Sequence, residues 1–74
     1  MWLLVVKMYF KRIRDLREDN DYTQQQIANI LNCDISLYSK YERGEREVPV
    51  YVIIKLAKFY NTSTDYILNL KDEK

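Results

Sequence analysis

One side of the segment ISLYSKYER carries side chains that could bind the base edges and phosphates of a nucleic acid. On a helical wheel, Leu37, Tyr38 and Tyr41 fall on one side, which is predicted to pack inward. The other side combines hydroxyl groups, long basic side chains and one aliphatic group, namely Ile35, Ser36, Ser39, Lys40 and Arg43. Because the major groove of DNA admits a single α-helix, this outward side favours a DNA-reading function.

Catalysis and metal binding are not indicated by the residue types present. The chain has no histidine, one cysteine (Cys33) and one glycine. Zinc sites need several thiolate or imidazole ligands, and phosphate-cradling loops are rich in glycine. No carboxylate pair is set in an evident cleft. We therefore expect no enzyme activity, no metal, no cofactor and no small-molecule substrate, and we expect Cys33 to be a small buried hydrophobic residue.

Length and composition indicate one all-α domain. The chain has 74 residues, of which 47% are hydrophobic and 31% charged, as in ordinary globular domains. One glycine and one proline are too few for the many turns of a β-sandwich or barrel. The formal net charge of +1 means that any surface for a polyanion must be a local patch. A lone thiol fits the cytoplasm, and no apolar run is long enough to span a membrane.

Five short helices are predicted to position the outward side. The first runs from Tyr9 to Asn20, and Thr23 opens the second with Gln26 as its capping-box partner. Asn32 is predicted to close the second helix in the left-handed conformation. The short break that follows turns the third helix outward while the second helix braces it.

The remaining helices are predicted from capping residues and apolar spacing. Asp34 is the expected cap of the third helix, which ends at Gly44. Pro49 suits the first turn of the fourth helix, and Thr62 or Ser63 suits the cap of the fifth. The inward positions expected on these two helices are Val50, Ile53, Ala57, Tyr60, Tyr66, Ile67 and Leu70.

The N-terminal stretch MWLLVVKMYF is more apolar than the rest of the chain. It is too short to span a bilayer and lacks the basic start and cleavage site of a secretory signal. We expect an apolar extension at 1–8, one domain at 9–70 and a polar tail at 71–74. One possibility is that the extension packs on the domain. The other is that the domain begins at Met8, in which case the preceding residues have no selected role.

The order of motifs from Tyr9 to Leu70 resembles the Cro/repressor-type helix-turn-helix family, also called the XRE family. The similarity rests on RIRDLRED, then TQQQIANILNCDISLYSKYERGER, then IIKLAKFYNTSTDYIL. The resemblance implies a five-helix repressor-like domain that binds double-stranded operator DNA, usually as a dimer on a two-fold symmetric site, and regulates transcription.

Residue roles follow from the same resemblance. It gives Gln24 a DNA contact from the start of the second helix, and it places Ile35, Ser36, Ser39 and Lys40 at base-reading positions. Arg43 and Arg46 would approach phosphates. Arg17 and Glu42 match a family ion pair between the first helix and the end of the third. Asp34 departs from the Ser or Thr that is usual before the reading helix.

A homodimer is the expected assembly, because one recognition helix covers only a few base pairs. Val52 and Phe59 lie seven residues apart, point away from the predicted core and have Tyr51 beside them. Together with Trp2 and Leu3 they are the predicted dimer interface. The alternative is an antitoxin-like or adaptor module that uses the same fold to bind protein, which exposed apolar residues on the fourth helix would favour.

Overall fold

Five α-helices joined by short loops make up residues 10–72, the part of the chain that the computed structural model describes. No strand occurs within that range. The helices are α1 (Lys11–Asp19), α2 (Gln24–Leu31), α3 (Ile35–Arg43), α4 (Val50–Tyr60) and α5 (Thr64–Ile67). The all-α class and the five-helix order predicted from the sequence are confirmed.

Most helix ends follow the local signals in the sequence. The Thr23 hydroxyl accepts a hydrogen bond from the Gln26 backbone N–H (3.1 Å), and the Gln26 side chain accepts one from the Thr23 N–H (2.8 Å). Asn32 closes α2 at φ 59°, and Gly44 closes α3 at φ 74°. Both residues adopt the left-handed conformation that Asn and Gly tolerate best. The capping predictions for α2 and for the end of α3 are therefore confirmed.

Two helix starts differ from expectation. Asp34 occupies the N-cap position of α3, but its carboxylate accepts a hydrogen bond from the Ser36 hydroxyl (3.2 Å) and none from the helix backbone. Pro49 is the N-cap of α4, so the helix itself begins at Val50. The missing N–H of proline is harmless both at the N-cap and at the first residue of a helix, so the sequence could not distinguish these two positions for Pro49.

The core is one cluster of apolar side chains drawn from all five helices. Helix α2 packs on α3, α4 packs on α5, and α1 contacts both α3 and α5. The buried members are Ile13, Leu16, Ile27, Ala28, Leu31, Tyr38, Tyr41, Val52, Ile53, Leu56, Ala57 and Ile67. Ala28 is fully buried, so its small side chain lets α2 and α3 approach closely.

The predicted orientation of α4 was wrong at two positions. Val52, expected to point outward, is only 4% exposed, whereas Val50, expected to point inward, is 74% exposed. The buried row of α4 contains Val52, Ile53, Leu56 and Ala57. Val50 occupies the first turn, beyond the end of this row. Val52 is therefore not available to the predicted dimer interface.

Other predicted positions are only partly exposed or lie outside the helices. Phe59 is 37% exposed, and its ring packs 5.3 Å from that of Tyr22 and 5.0 Å from that of Tyr60. Leu70, expected to face inward from α5, follows the end of that helix and is exposed. Cys33 is half-buried rather than buried.

The predictions for the N-terminal extension concern residues outside the described range. Trp2, Leu3 and Tyr9 all precede Phe10, where that range begins. Within residues 10–72, no helix has the length and apolar character needed to cross a membrane.

Candidate nucleic-acid interface

Helix α3 has a buried side and an exposed side. Tyr38, Tyr41 and Glu42 are buried against the other helices. On the opposite side the structure brings together Ile35, Ser36, Ser39, Lys40 and Arg43, all of them exposed except Ser39, which is half-buried. This side is therefore open to solvent along the whole helix.

The corner between α2 and α3 holds this orientation. Beyond Asn32, the Cys33 N–H donates to the Ala28 carbonyl oxygen (2.9 Å), which closes the last turn of α2. Asp34 is extended, and α3 starts at the next residue. The corner thus uses few residues, and the buried contact at Ala28 fixes how the two helices cross.

Arg17 of α1 binds Glu42 at the end of α3 through two parallel hydrogen bonds. Arg17 Nε lies 2.6 Å from Glu42 Oε2, and Arg17 Nη2 lies 3.1 Å from Glu42 Oε1. Arg17 Nη1 also donates to the Tyr22 carbonyl oxygen (2.9 Å). The side chains are 13% and 3% exposed, respectively. A planar guanidinium matches a carboxylate in this arrangement better than a lysine would.

Gln24 joins the same network. Its Nε2 donates to Glu42 Oε1 (2.9 Å), so the first residue of α2 is tied to the last turn of α3. The sequence suggested a DNA contact for Gln24 but not this bond, because no local pattern links residues so far apart. The geometry gives Gln24 a structural role next to the exposed side of α3.

The network keeps Glu42 ionised despite its burial. Burial alone would raise the pKa of the carboxyl, but hydrogen bonds from Arg17 and Gln24 outweigh it and hold the pKa of Glu42 below its ordinary value. The hydrogen bond to Glu42 likewise raises the pKa of Arg17. Burial raises the pKa of Tyr38 and of Tyr60, so both phenols stay neutral.

A concave polar surface lies where α1, α2 and α3 meet, and the cavity that it forms has a volume of about 460 Å³. Its lining residues are Arg14, Arg17, Gln24, Ser39, Glu42 and Arg43. Arg14 was not among the residues singled out from the sequence. It precedes Arg17 by three positions on α1, and helical spacing could therefore have placed both on one side. The surface brings three guanidinium groups together beside the exposed side of α3.

Arg43 is held in an exposed network of its own. Arg43 Nε and Nη2 donate to the two carboxylate oxygens of Glu45 (2.7 and 3.2 Å), and Nη1 donates to the Ser39 hydroxyl. The hydrogen bond from Arg43 to Glu45 raises the pKa of Arg43. Arg46 is exposed just beyond the end of α3. Within residues 10–72, no group of His, Cys, Asp and Glu is arranged to hold a metal ion.

The fold and the exposed α3 define the class of protein to which this chain belongs. A family model described as "Helix-turn-helix" matches residues 13–67, which is most of the chain. The chain therefore belongs to the helix-turn-helix family of XRE type.

Several relatives are named as regulators. The chain is 41% identical to the HTH-type transcriptional regulator ImmR of Bacillus subtilis, over 85% of this chain and 49% of that protein. It is 38% identical to the cryptic phage CTXphi transcriptional repressor RstR of Vibrio cholerae, over 72% of this chain and 48% of that protein. It is 34% identical to the control protein C.SmaI of Serratia marcescens, over 86% of this chain and 80% of that protein.

The chain spans about half the length of ImmR and RstR. Among solved structures, a transcriptional regulator from Listeria innocua superposes with a TM-score of 0.78 over 93% of this chain and 65% of that one. At 23% sequence identity this likeness shows the shared fold.

Proposed function

We propose that this chain is a double-stranded DNA-binding transcriptional regulator, acting as a repressor, which reads the major groove with α3. The observation that carries the proposal is the exposed side of α3, which presents hydroxyl, basic and aliphatic side chains together. The names of the relatives, two of them transcriptional regulators or repressors, support the same function. Such a protein would work in the cytoplasm.

The exposed side chains divide into two roles. Ile35, Ser36, Ser39 and Lys40 are the proposed base-reading residues, with Ile35 suited to thymine methyl groups and Lys40 to guanine acceptors. Gln24, Arg43 and Arg46 are the proposed backbone contacts. Backbone contacts position a protein on the duplex, whereas base contacts supply the sequence preference.

Two acidic side chains on this surface moderate the attraction to DNA. Asp34 is exposed at the start of α3, and Glu45 engages the guanidinium of Arg43. When Arg43 binds a phosphate, that phosphate must replace Glu45 as its partner. We therefore expect moderate affinity from a single domain, with a strong dependence on salt.

A two-fold dimer would restore useful affinity. Two α3 helices spaced ~34 Å apart would occupy successive major-groove half-sites on one face of the duplex. Tyr51 and Phe59 are both exposed on the outer side of α4, with Lys55 between them at helical spacing. This row is the proposed dimer contact in place of Val52.

A second candidate function is a protein-binding module on the same fold, as in an antitoxin or an adaptor. The observation that favours it is the exposed apolar surface of α4, which includes Val50, Tyr51 and Ile54. Such a module would bind its partner without requiring the basic side chains around α3.

Selection of bound duplexes from a random pool, followed by gel-shift titration at several salt concentrations, tests the proposal. Lys40→Ala should cost ~1–3 kcal/mol at one operator position and relax the preference there. Arg46→Ala should weaken binding to all DNA sequences alike. It should also lower the slope of log affinity against log salt concentration by about one. Lys58→Ala, which removes an exposed lysine of α4, is the matched control and should change neither.

Selection that enriches no sequence, or an affinity indifferent to both salt and Lys40→Ala, would contradict groove reading. Binding of a protein partner that is lost on changing α4 and kept on changing Lys40 would instead support the second candidate.

A further inference from the structure

An apolar groove of about 320 Å³ lies between the start of α1, the first turns of α4 and the end of α5. Its apolar lining consists of Phe10, Val48, Val50, Ile53, Ile54 and Leu68, and Thr64 also contributes. None of these residues lines the concave polar surface beside α3. The groove is thus a separate feature of the molecule.

The groove has a firm frame. Ile53 at its base is buried in the core. Arg12 Nη1 donates to the Tyr66 carbonyl oxygen (2.9 Å), and its guanidinium lies 4.2 Å from the centre of the Tyr66 ring. These contacts hold α5 against α1 and keep the two sides of the groove in place.

The rim of the groove leaves apolar area in contact with water. Val50 is 74% exposed and Ile54 is 42% exposed. Covering such surface is favourable because it removes apolar area from contact with water. A contiguous apolar groove on a domain this small is therefore a place where another apolar segment would bind.

We propose that residues 1–9 of the same chain, MWLLVVKMY, occupy this groove. They end at the residue before Phe10, which itself lines the groove. Nine residues reach at most about 30 Å when extended, enough to run along the groove. Every residue of the segment except Lys7 is apolar or aromatic, and no charged side chain of residues 10–72 lines the groove.

Direct connection favours this occupant over a second copy. A segment joined to Phe10 is held next to the groove at high effective concentration, and its binding costs no association entropy. A second copy would have to displace it. With residues 1–9 in the groove of their own chain, Trp2 and Leu3 would be buried within that chain rather than in the dimer contact expected from the sequence. The inference does not depend on DNA binding.

Trp2 is the only tryptophan of the chain, so its fluorescence reports on the segment directly. In the full chain, its emission should lie at shorter wavelength than in the urea-unfolded chain, and acrylamide should quench it several-fold less. Ile54→Lys should shift the emission to longer wavelength and restore quenching. Val50→Lys, at a side chain already largely exposed, gives the same test should the first variant fail to fold.

Lys58→Ala is the control, because Lys58 is exposed on the same helix and does not line the groove. It should leave Trp2 emission unchanged, and circular dichroism should show the same helix content in all variants. The inference is overturned if Trp2 is as open to acrylamide in the folded chain as in urea. It is also overturned if Trp2 is protected yet indifferent to both groove variants. A shift to longer wavelength on dilution, in step with dissociation of a dimer, would assign the groove to a second copy and equally overturn it.

Discussion

Glu42 is the one charged side chain that the described part of the chain buries, and its partners come from two other helices. Arg17 of α1 and Gln24 of α2 both donate to it, while Glu42 itself lies in the last turn of α3. The buried carboxylate therefore joins the elements on both sides of the corner. A buried charge is tolerated when it is paired and fully hydrogen-bonded, and this one has both forms of compensation.

Breaking the Arg17–Glu42 pair should be strongly destabilising. Arg17→Ala leaves the Glu42 carboxylate desolvated without its cation, and loss of one partner of a buried pair costs ~3–5 kcal/mol. Urea unfolding of Arg17→Ala, Glu42→Ala and the double variant measures the coupling. Lys11→Ala with Asp15→Ala is the control, because that solvent-facing pair on α1 should couple by only ~0.3–0.5 kcal/mol. If the losses in unfolding free energy of the two single variants add up to the loss in the double variant, Arg17 and Glu42 do not interact.

The stability contributed by Glu42 should depend on pH. Its pKa is lower in the folded chain than the ordinary value of 4.5, so folding favours the ionised form. The contribution is complete above the unfolded pKa and is lost as the pH falls through the folded pKa. The gap in unfolding free energy between the native chain and Glu42→Gln should therefore narrow as pH falls below about 4.5. Other carboxylates titrate in both proteins, and their effects cancel in this difference. A gap that stays constant into acid would contradict a lowered pKa.

At the scale of the elements, the two caps beside the corner differ in kind. The Thr23 hydroxyl accepts a hydrogen bond from the backbone of α2, whereas the Asp34 carboxylate accepts none from that of α3. Thr23→Ala should thus cost ~1 kcal/mol of stability at any salt concentration. Asp34→Ala removes an exposed hydrogen bond from Ser36 and the attraction of a charge to the helix dipole, ~0.3–1 kcal/mol, which salt screens. Thermal or urea unfolding at low and high salt separates the two, and equal costs at high salt would contradict the difference in capping.

Helix ends were predictable from sequence where a local interaction determines them. Thr23 with Gln26, Asn32 and Gly44 each act within one turn of their own backbone, so their residue types were sufficient. The orientation of α4 was not predictable in the same way. Val50 and Val52 are the same residue type two positions apart, and only the packing of α4 on the other helices decides which one is buried.

The candidate site was likewise predictable only where local spacing determines it. The outward side of α3 followed from helical spacing and was recognisable in the sequence. The bond from Gln24 to Glu42 and the position of Arg14 beside them depend on how three helices meet. The resemblance to a known family supplied the Arg17–Glu42 pair, which spacing alone does not reveal.

At the scale of the whole molecule, we expect a two-fold dimer at micromolar concentration. Sedimentation equilibrium should show dimers of the full chain and weaker association of Tyr51→Lys and Phe59→Lys, since each places a charge in the proposed contact on α4. Ile35→Lys is the matched control, because its side chain is exposed on the side of α3 that faces DNA in the proposal. It should leave association unchanged.

A chain that begins at Met8 completes the experiment. Monomers in every sample would contradict the dimer. Loss of association on removing the first seven residues alone would place those residues in the contact between copies. Unchanged association in the shortened chain would assign the contact to the helices.

The separation between the two sides of α3 makes its outer residues exchangeable. Ile35, Ser36 and Lys40 are exposed and lie outside the core, so replacing them should cost the domain little stability. The inner residues Tyr38, Tyr41 and Glu42 anchor the helix whichever residues stand opposite them. The same scaffold could therefore acquire a new operator preference through a few surface substitutions, or through transplantation of the outer residues of a relative. Relatives that differ in binding specificity in this way should differ little in their free energy of unfolding.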